Sequence, residues 1–182
     1  MNKFVQLLAF VGLLVISGNA VGHSETGRPR IVSFDRVRHF AAVMQICREN
    51  CKNLGQCDGF EPGDPRACLR LQAELQTPVA SSDYTVAVIE RNNEASGFIQ
   101  YSLFSGGLFP PSITLLAVSN NSRRFHLGSQ LLRHAENAIS MNGGQQVVLT
   151  TLSEQGADFC TNQNYVLKPL HPIFPGCWFK DL

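Results

Sequence analysis

A short turn in the second half of the chain brings together residue types that bind anions. The turn, 119–126, joins an apolar segment to an amphipathic one and carries Arg123 and Arg124. The N-terminus of a helix exposes unpaired N–H groups and the positive end of the helix dipole, so it attracts phosphate groups. Gly128 lets a ligand approach the backbone closely. The segment 123–129 therefore predicts a phosphate-binding cradle.

Two elements must position this turn. The run 113–118 is apolar apart from Thr114, which predicts a strand near the centre of a sheet. After the turn the apolar residues recur at helical spacing, and Gly143-Gly144 ends the pattern. The predicted apolar face comprises Leu127, Leu131, Ala135, Ala138 and Ile139, and the opposite face comprises Gln130, Arg133, Glu136 and Asn137.

The rest of the chain predicts further helices and strands. Asp35 can cap a first helix, and a second helix begins after Asp64-Pro65. Their apolar stripes are Val37, Phe40, Met44 and Cys47, then Cys68, Leu71 and Leu75. The predicted strands are 31–34, the hairpin strands 85–89 and 97–104 around Asn92-Asn93, then 147–149, 165–167 and 178–179, with a short helix at 155–161. This order predicts an α+β protein around a mixed, mostly antiparallel sheet flanked by helices.

The segment 115–132 resembles the acetyl-CoA motif of the GNAT superfamily. That motif is a strand, then Arg/Gln-x-x-Gly-x-Gly/Ala, then an amphipathic helix. Arg123 stands at its first position and Gly128 at its last. The order of elements from 31 to 179 is also similar to a whole GNAT domain. The resemblance implies an N-acetyltransferase that moves an acetyl group from acetyl-CoA to an amine acceptor by direct attack.

The resemblance also implies which residues hold acetyl-CoA, the co-substrate. Backbone N–H groups between Arg124 and Ser129 would hold the pyrophosphate, and the pantetheine arm would follow the edge of the preceding strand near Leu116 and Val118. The implied binding residues are Leu116, Ala117, Val118, Arg123, Arg124, Phe125, His126, Leu127, Gly128 and Ser129. No metal is expected.

Three residues depart from the family pattern. His126 stands where the family has glycine, and we expect its ring to face solvent; the alternative is an imidazolium beside a phosphate. Cys160 stands at the position of the family's general-acid tyrosine. A thiol of pKa about 8.5 could protonate a departing thiolate, or Cys160 is bridged to Cys177. Asn164 replaces a family glycine and is able to adopt left-handed geometry.

The family's glutamate base is absent from the start of the central strand, which reads Ser112-Ile113-Thr114. Deprotonation of the amine would need water, a backbone carbonyl or a residue from elsewhere. Glu90 on the hairpin is one candidate for such a residue, although it is expected to be a solvated charge at a strand end. His39 and His134 are expected to be surface or packing residues.

Six cysteines are present, and four of them fall in 47–68, which predicts a cysteine-rich helical and loop insertion. In an exported chain an even number indicates disulfides, although their connectivity stays open. A four-thiolate zinc site is the alternative for this cluster.

The first 22 residues resemble a secretory signal peptide. A positively charged start precedes the apolar run 4–16, and cleavage is predicted near Ala20 or Gly22. The GNAT-like domain would then span 28–182, and the protein would be periplasmic or secreted. An uncleaved membrane anchor is the alternative; otherwise contact with a membrane would be transient.

The charge balance excludes a nucleic-acid backbone binder, because 15 Lys and Arg oppose 14 Asp and Glu. The expected partner is a small-molecule or protein amine. Two other functions stay open: an exported, catalytically degenerate binding module on the same fold, and a disulfide-stabilised envelope protein.

Overall fold

The computed structural model describes residues 27–50, 66–76, 84–103, 110–149, 154–168 and 177–182. The predicted signal peptide, Asp64-Pro65, Cys51 and Cys57 lie outside these ranges. The helices are α1 (Arg36–Asn50), α2 (Arg66–Gln76), α3 (Leu127–Met141) and α4 (Glu154–Asn162). The strands are β1 (Arg30–Ser33), β2 (Tyr84–Arg91), β3 (Glu94–Ser102), β4 (Ser112–Val118), β5 (Gln146–Leu149), β6 (Val166–Lys168) and β7 (Cys177–Asp181). Within these ranges no helix has the length and apolarity that a membrane crossing requires.

The seven strands form one sheet in the order β1-β2-β3-β4-β5-β7-β6. Only the β4–β5 neighbours run parallel; the other pairs are antiparallel. The predicted hairpin is present because Asn92 and Asn93 adopt φ values of 54° and 64°. Two successive left-handed residues match the twist of the flanking strands. The sheet confirms the predicted α+β fold with a mostly antiparallel sheet.

One face of the sheet is covered by α3 and α4, and we call it the α3 face. The predicted stripe of α3 is buried there, with Leu127, Leu131, Ala135 and Ile139 all inaccessible to solvent. Gly97 of β3 allows this close packing. A Cβ at Gly97 would lie 2.9 Å from the Ala117 carbonyl oxygen and 3.2 Å from a Leu131 methyl group.

The opposite face, the α1–α2 face, is covered by the first two helices. Asp35 caps α1 as predicted, because its Oδ1 accepts the Arg38 N–H at 2.9 Å. Val37 was expected on the buried stripe of α1, and that expectation was wrong: it is 98% exposed. The helix instead buries the face that carries His39, Val43, Met44, Ile46, Cys47 and Asn50. This rotation follows from the polar contacts of His39, which are described below.

Candidate functional site

The central feature of the site is the edge of β4 that faces β5. Among the described residues these strands pair only at Ser112↔Val148 and Ile113↔Leu149. On its other edge β4 stays paired with β3 as far as Gly97↔Val118. The β4 edge beyond Ile113 therefore presents backbone groups that the described part of β5 does not pair.

A β-bulge lies in β4 directly after its last pair with the described part of β5. Leu115 pairs with Gln100 and Ile113 pairs with Tyr101, so Thr114 is the extra residue. Such bulges re-aim side chains and are frequent beside active sites. The sequence predicted a regular strand here, since a bulge leaves no mark on an apolar run.

The bulge changes the direction of the side chains that follow it. Ile113 belongs to the core of the α3 face, whereas Leu115 and Ala117 belong to the core of the α1–α2 face. Leu116 and Val118, both half-buried, consequently pack toward α3. The two side chains predicted to follow the pantetheine arm thus lie on the α3 face, while Ala117 contributes only its backbone there.

The turn after β4 is built as a short 3₁₀ helix, Asn120–Phe125, followed by His126. His126 has φ 54° and ψ 25°, the left-handed geometry that glycine adopts most readily. Its side chain is exposed, as expected. It does not cap α3, so no side chain from the cap position occupies the N–H groups of the first turn. A 15-residue helix that begins in this way offers an anion site.

The predicted arginines lie at the rim of this turn, and both are exposed. Arg123 donates a hydrogen bond from Nη2 to Asn50 Oδ1 at 2.9 Å. Asn50, 94% buried, also donates from Nδ2 to the carbonyl of Val118 at 3.2 Å. Asn50 thus links the end of α1, the end of β4 and the cradle. Sequence reasoning missed it because it lies 73 positions from Arg123.

The other cradle residues divide into buried and exposed ones. Leu127 is fully buried in the core, so only its backbone faces the turn. Phe125 is exposed, and the Arg91 guanidinium lies 3.5 Å from its ring centroid. A Cβ at Gly128 would meet Phe159 of α4 at 3.6 Å and Val118 at 3.8 Å, which are ordinary contacts. Protein packing alone therefore does not require glycine at 128.

Cys160, the predicted acid, lies in the core of the α3 face and is 1% exposed. Its burial raises the pKa of the thiol to about 12. A thiol of that pKa is a poor acid for a departing thiolate. The predicted alternative, a bridge to Cys177, is not supported by the packing either: Cys160 lies in the core of the α3 face, and Cys177 packs in a separate cluster with Val148 and Phe179. These facts argue against both roles for Cys160.

A carboxylate reaches the bulge from α2, although the sequence showed none nearby. Thr114 Oγ1 donates to Gln100 Oε1 at 3.1 Å, and Gln100 Nε2 donates to Glu74 Oε2. Arg70 Nε donates to the other Glu74 oxygen at 2.9 Å. Gln100 is 97% buried, whereas the Glu74 side chain keeps 24% of its surface exposed. We call this series of contacts the Glu74 chain.

Glu90 forms a second polar group, which we call the Glu90 cluster. The expectation of a solvated strand-end charge was wrong, because Glu90 is 1% exposed. Its carboxylate accepts from Arg30 at 2.7 Å, from Arg38 at 2.8 Å and from His39 at 2.9 Å. Burial alone would raise the pKa of Glu90. The hydrogen bonds from His39 and Arg30 and the charge of Arg38 outweigh burial, so the pKa lies below its ordinary value of 4.5.

His39 is part of the same buried cluster. The Asp35 N–H donates to His39 Nδ1 at 2.8 Å, so the ring proton sits on Nε2 and points at Glu90. Both ring nitrogens are thus engaged in structural contacts. His134, on α3, packs edge-on against Tyr101 with ring centroids 6.3 Å apart, as a packing residue.

A buried charged group also lies on the α3 face. Glu136 was expected on the solvent side of α3, but it is buried. Tyr165 donates to it from its hydroxyl at 3.0 Å, and Lys180 Nζ donates to both carboxylate oxygens at 3.0 Å. Burial, together with the Glu136 charge, raises the pKa of Tyr165. The group joins α3 to β7 and stabilises the fold away from the cradle.

Metal-ligating side chains do not gather in threes anywhere in the described ranges. Of the cysteine cluster, Cys47 and Cys68 fall inside these ranges and lie against each other.

No family model and no curated protein matches this sequence. Solved structures do match. The PaiA N-acetyltransferase of Thermoplasma acidophilum, solved with coenzyme A, superposes with a TM-score of 0.66 at 13% identity, covering 85% of this chain and 99% of its own. A GNAT-family acetyltransferase of Staphylococcus aureus Mu50 gives 0.59 at 11% identity, with coverage of 85% and 99%. Aminoglycoside 6'-acetyltransferase type Ii gives 0.59 at 17% identity, with coverage of 84% and 96%. These likenesses show that the chain has the fold of the GNAT acetyltransferases.

Proposed function

We propose that this protein is an N-acetyltransferase that takes its acetyl group from acetyl-CoA and transfers it to an amine. The observation that carries the proposal is the N-terminus of α3, which lacks a side-chain cap. It comes one 3₁₀ turn after β4, whose edge beyond Ile113 the described part of β5 does not pair. A helix N-terminus binds a diphosphate, and an open strand edge can pair with an amide-containing arm. The neighbour solved with coenzyme A has the same fold.

On the donor side, backbone groups provide most of the binding. The N–H groups of the first turn of α3, from Leu127 to Ser129, would hold the diphosphate. Arg123 and Arg124 add positive charge at the rim. Leu116 and Val118 would contact the apolar parts of the pantetheine arm. Acetyl-CoA supplies an activated thioester; the chain supplies position and a polar environment.

On the acceptor side, the Glu74 chain provides the charged group. A primary amine is protonated near neutral pH, so it is attracted to a carboxylate and must lose a proton before it attacks. Glu74 remains partly exposed and is tied to Thr114 at the bulge through Gln100. We assign to Glu74 the binding of the ammonium group and the acceptance of its proton. Cys160 has no acid role in this proposal.

Calorimetry with acetyl-CoA tests the donor side, and release of coenzyme A thiol in the presence of a panel of primary amines tests transfer. Saturable binding together with thiol release supports the proposal. Absence of binding by the reduced and the oxidised protein overturns it. Binding without transfer to any amine favours the degenerate binding module, for which the burial of Cys160 is the supporting observation.

Export belongs to the proposal as well. The apolar run 4–16 suggests that the mature domain acts outside the cytosol, where acetyl-CoA is scarce. An enzyme that is exported and then delivered into another cell would both leave its own cytosol and encounter acetyl-CoA. Cell fractionation followed by N-terminal sequencing tests this part: a cytosolic protein that still begins at Met1 would overturn it without affecting the transferase proposal.

A further inference from the structure

Cys47 of α1 and Cys68 of α2 face each other across the contact between these helices. Their Sγ atoms are 2.7 Å apart. Nonbonded carbon atoms pack best at roughly 3.5–4.0 Å and sulfur is a larger atom, whereas a disulfide bond measures about 2.05 Å. The two sulfurs are thus already closer than separate thiols pack.

The surroundings hold this pair in place. Cys47 is inaccessible to solvent and Cys68 is 8% exposed, and both belong to the core of the α1–α2 face. Leu71 and Leu75 of α2 are buried in the same core. At the other end of the contact, Arg36 of α1 donates to the carbonyl of Gln76 at 3.3 Å. The helices therefore need no rearrangement to bring the sulfurs together.

A hydrogen bond between two thiols would stabilise this arrangement only slightly, because S–H is a weak donor and sulfur is a weak acceptor. We propose that Cys47 and Cys68 are a cross-linking site, joined by a disulfide in the mature protein. The reaction is thiol–disulfide exchange with an oxidised dithiol partner, such as an oxidoreductase disulfide. Neither a metal nor acetyl-CoA takes part, so the inference is independent of the proposed acetyl transfer; it rests on the proposed export, because thiols stay reduced in the cytosol.

The exchange proceeds in two balanced steps. The Cys68 thiolate, the more exposed of the two, attacks the partner's disulfide and releases one partner thiol. The Cys47 thiolate then attacks the Cys68 sulfur of the mixed disulfide and releases the second partner thiol. Each cysteine gives up one proton, and the two electrons reduce the partner's disulfide to two thiols.

The cross-link would fix the helix that carries the acceptor-side carboxylate. Glu74 lies six positions after Cys68 on the same helix, and it reaches the bulge only while α2 keeps its place on the sheet. The bond would also close the segment 48–67 into a covalent loop, which lowers the entropy of the unfolded chain.

Trypsin places the four clustered cysteines on four different peptides, 39–48, 49–52, 53–66 and 67–70. The full chain, purified without reductant and alkylated under denaturing, acidic conditions, is digested and mapped by mass spectrometry. We expect peptide 39–48 joined to peptide 67–70, and two separate peptides after reduction. Alkylated Cys47 and Cys68, or either of them joined to another cysteine, would overturn the cross-link.

Melting with and without dithiothreitol gives a second measurement. Reduction should lower the melting temperature of the wild type by roughly 5–10 °C, as expected for a loop of this size. Cys68→Ala should lose this response, and Cys160→Ala, a matched change at a buried thiol on the α3 face, should keep it. A response of wild-type size in Cys68→Ala would contradict the assignment.

Discussion

The two carboxylates of the α1–α2 face, Glu90 and Glu74, differ in how completely the protein encloses them. Glu90 is 1% exposed and accepts hydrogen bonds from three basic side chains. Glu74 keeps 24% of its side-chain surface exposed, and its contacts lead to the bulge in β4. The same chemical group thus stands once in a closed cluster and once in a chain that ends at the candidate site.

This difference distinguishes a carboxylate with a structural role from one that is accessible to a substrate. A carboxylate whose oxygens are taken and whose surface is buried cannot reach a substrate, however strongly its pKa is perturbed. A carboxylate that is partly exposed and held by a buried amide is both oriented and accessible. We therefore expect changes at Glu90 to affect stability and changes at Glu74 to affect transfer.

Glu90→Ala should produce the largest loss of stability. It removes three charge-assisted contacts and leaves the buried His39 without its acceptor, which costs about 3 kcal/mol of unfolding free energy. Arg30 and Arg38 are about half exposed and can turn to solvent, which keeps the loss below that of a fully buried ion pair. Urea denaturation measures it. A loss under about 1 kcal/mol would contradict the closed-cluster interpretation.

Acid should reproduce part of this loss. The pKa of Glu90 is lowered in the folded protein, so its stabilising contribution is present above about pH 4.5 and disappears as the pH falls through the lower folded value. Glu90→Gln keeps an acceptor for His39 but cannot titrate. The stability difference between wild type and Glu90→Gln should shrink as the pH falls below 4.5. A difference that stays constant through this range would contradict the assigned pKa shift.

The fold could be predicted from the sequence because its signals are local. The apolar period of α3 and the paired asparagines of the β2–β3 turn both specify their elements within a few residues. The prediction that Val37 is buried was wrong because α1 is oriented by a contact with a charged residue that is distant in the sequence. Turning the helix to bring His39 against Glu90, 51 positions away, moves Val37 into solvent.

The site was predictable in its backbone part only. The turn with Arg123 and Gly128 is contiguous in sequence, so its cradle could be located. Asn50 reaches Arg123 across 73 positions, and Glu74 reaches Gln100 across 26. Such contacts depend on how α1 and α2 sit on the sheet, which no local pattern records. Likewise, the spacing that aligned Cys160 with a catalytic position said nothing about its burial.

Glu74→Gln should have the largest effect on transfer. Removing a base typically costs a factor of 10² to 10⁴, and we expect about a hundredfold fall in kcat/KM for the amine. The dissociation constant of acetyl-CoA and the melting temperature should change little, because Gln100 retains a partner of the same size. Glu94→Gln is the matched control, because Glu94 is an exposed carboxylate at the start of β3, the strand that carries Gln100. Equal kcat/KM in wild type and Glu74→Gln would remove Glu74 from the proposed reaction.

Variants in the cradle should affect a third quantity, the affinity for acetyl-CoA, whereas Glu90 affects stability and Glu74 affects transfer. Arg123→Ala should weaken acetyl-CoA binding about fivefold to tenfold, since it removes a charged donor at the rim and releases Asn50. Arg133→Ala removes an exposed arginine from the middle of α3 and should leave affinity unchanged. Calorimetry gives both values. Equal weakening by the two variants would indicate a general charge effect instead of a local contact.

His126→Gly should give the smallest effect, and it should be a gain. His126 holds φ at 54°, a geometry that costs an L-residue roughly 1–2 kcal/mol and glycine much less. Part of the gain is offset by the greater freedom of glycine in the unfolded chain, so we expect about 0.5–1 kcal/mol of added stability. Asn164→Gly, at φ 64°, is the matched comparison and should gain less, because asparagine tolerates this region better. The midpoints of urea denaturation compare the stability of the wild type, His126→Gly and Asn164→Gly. A destabilised His126→Gly would mean that the imidazole makes a stabilising contact in the turn. The cradle would then depend on this side chain as well as on the backbone.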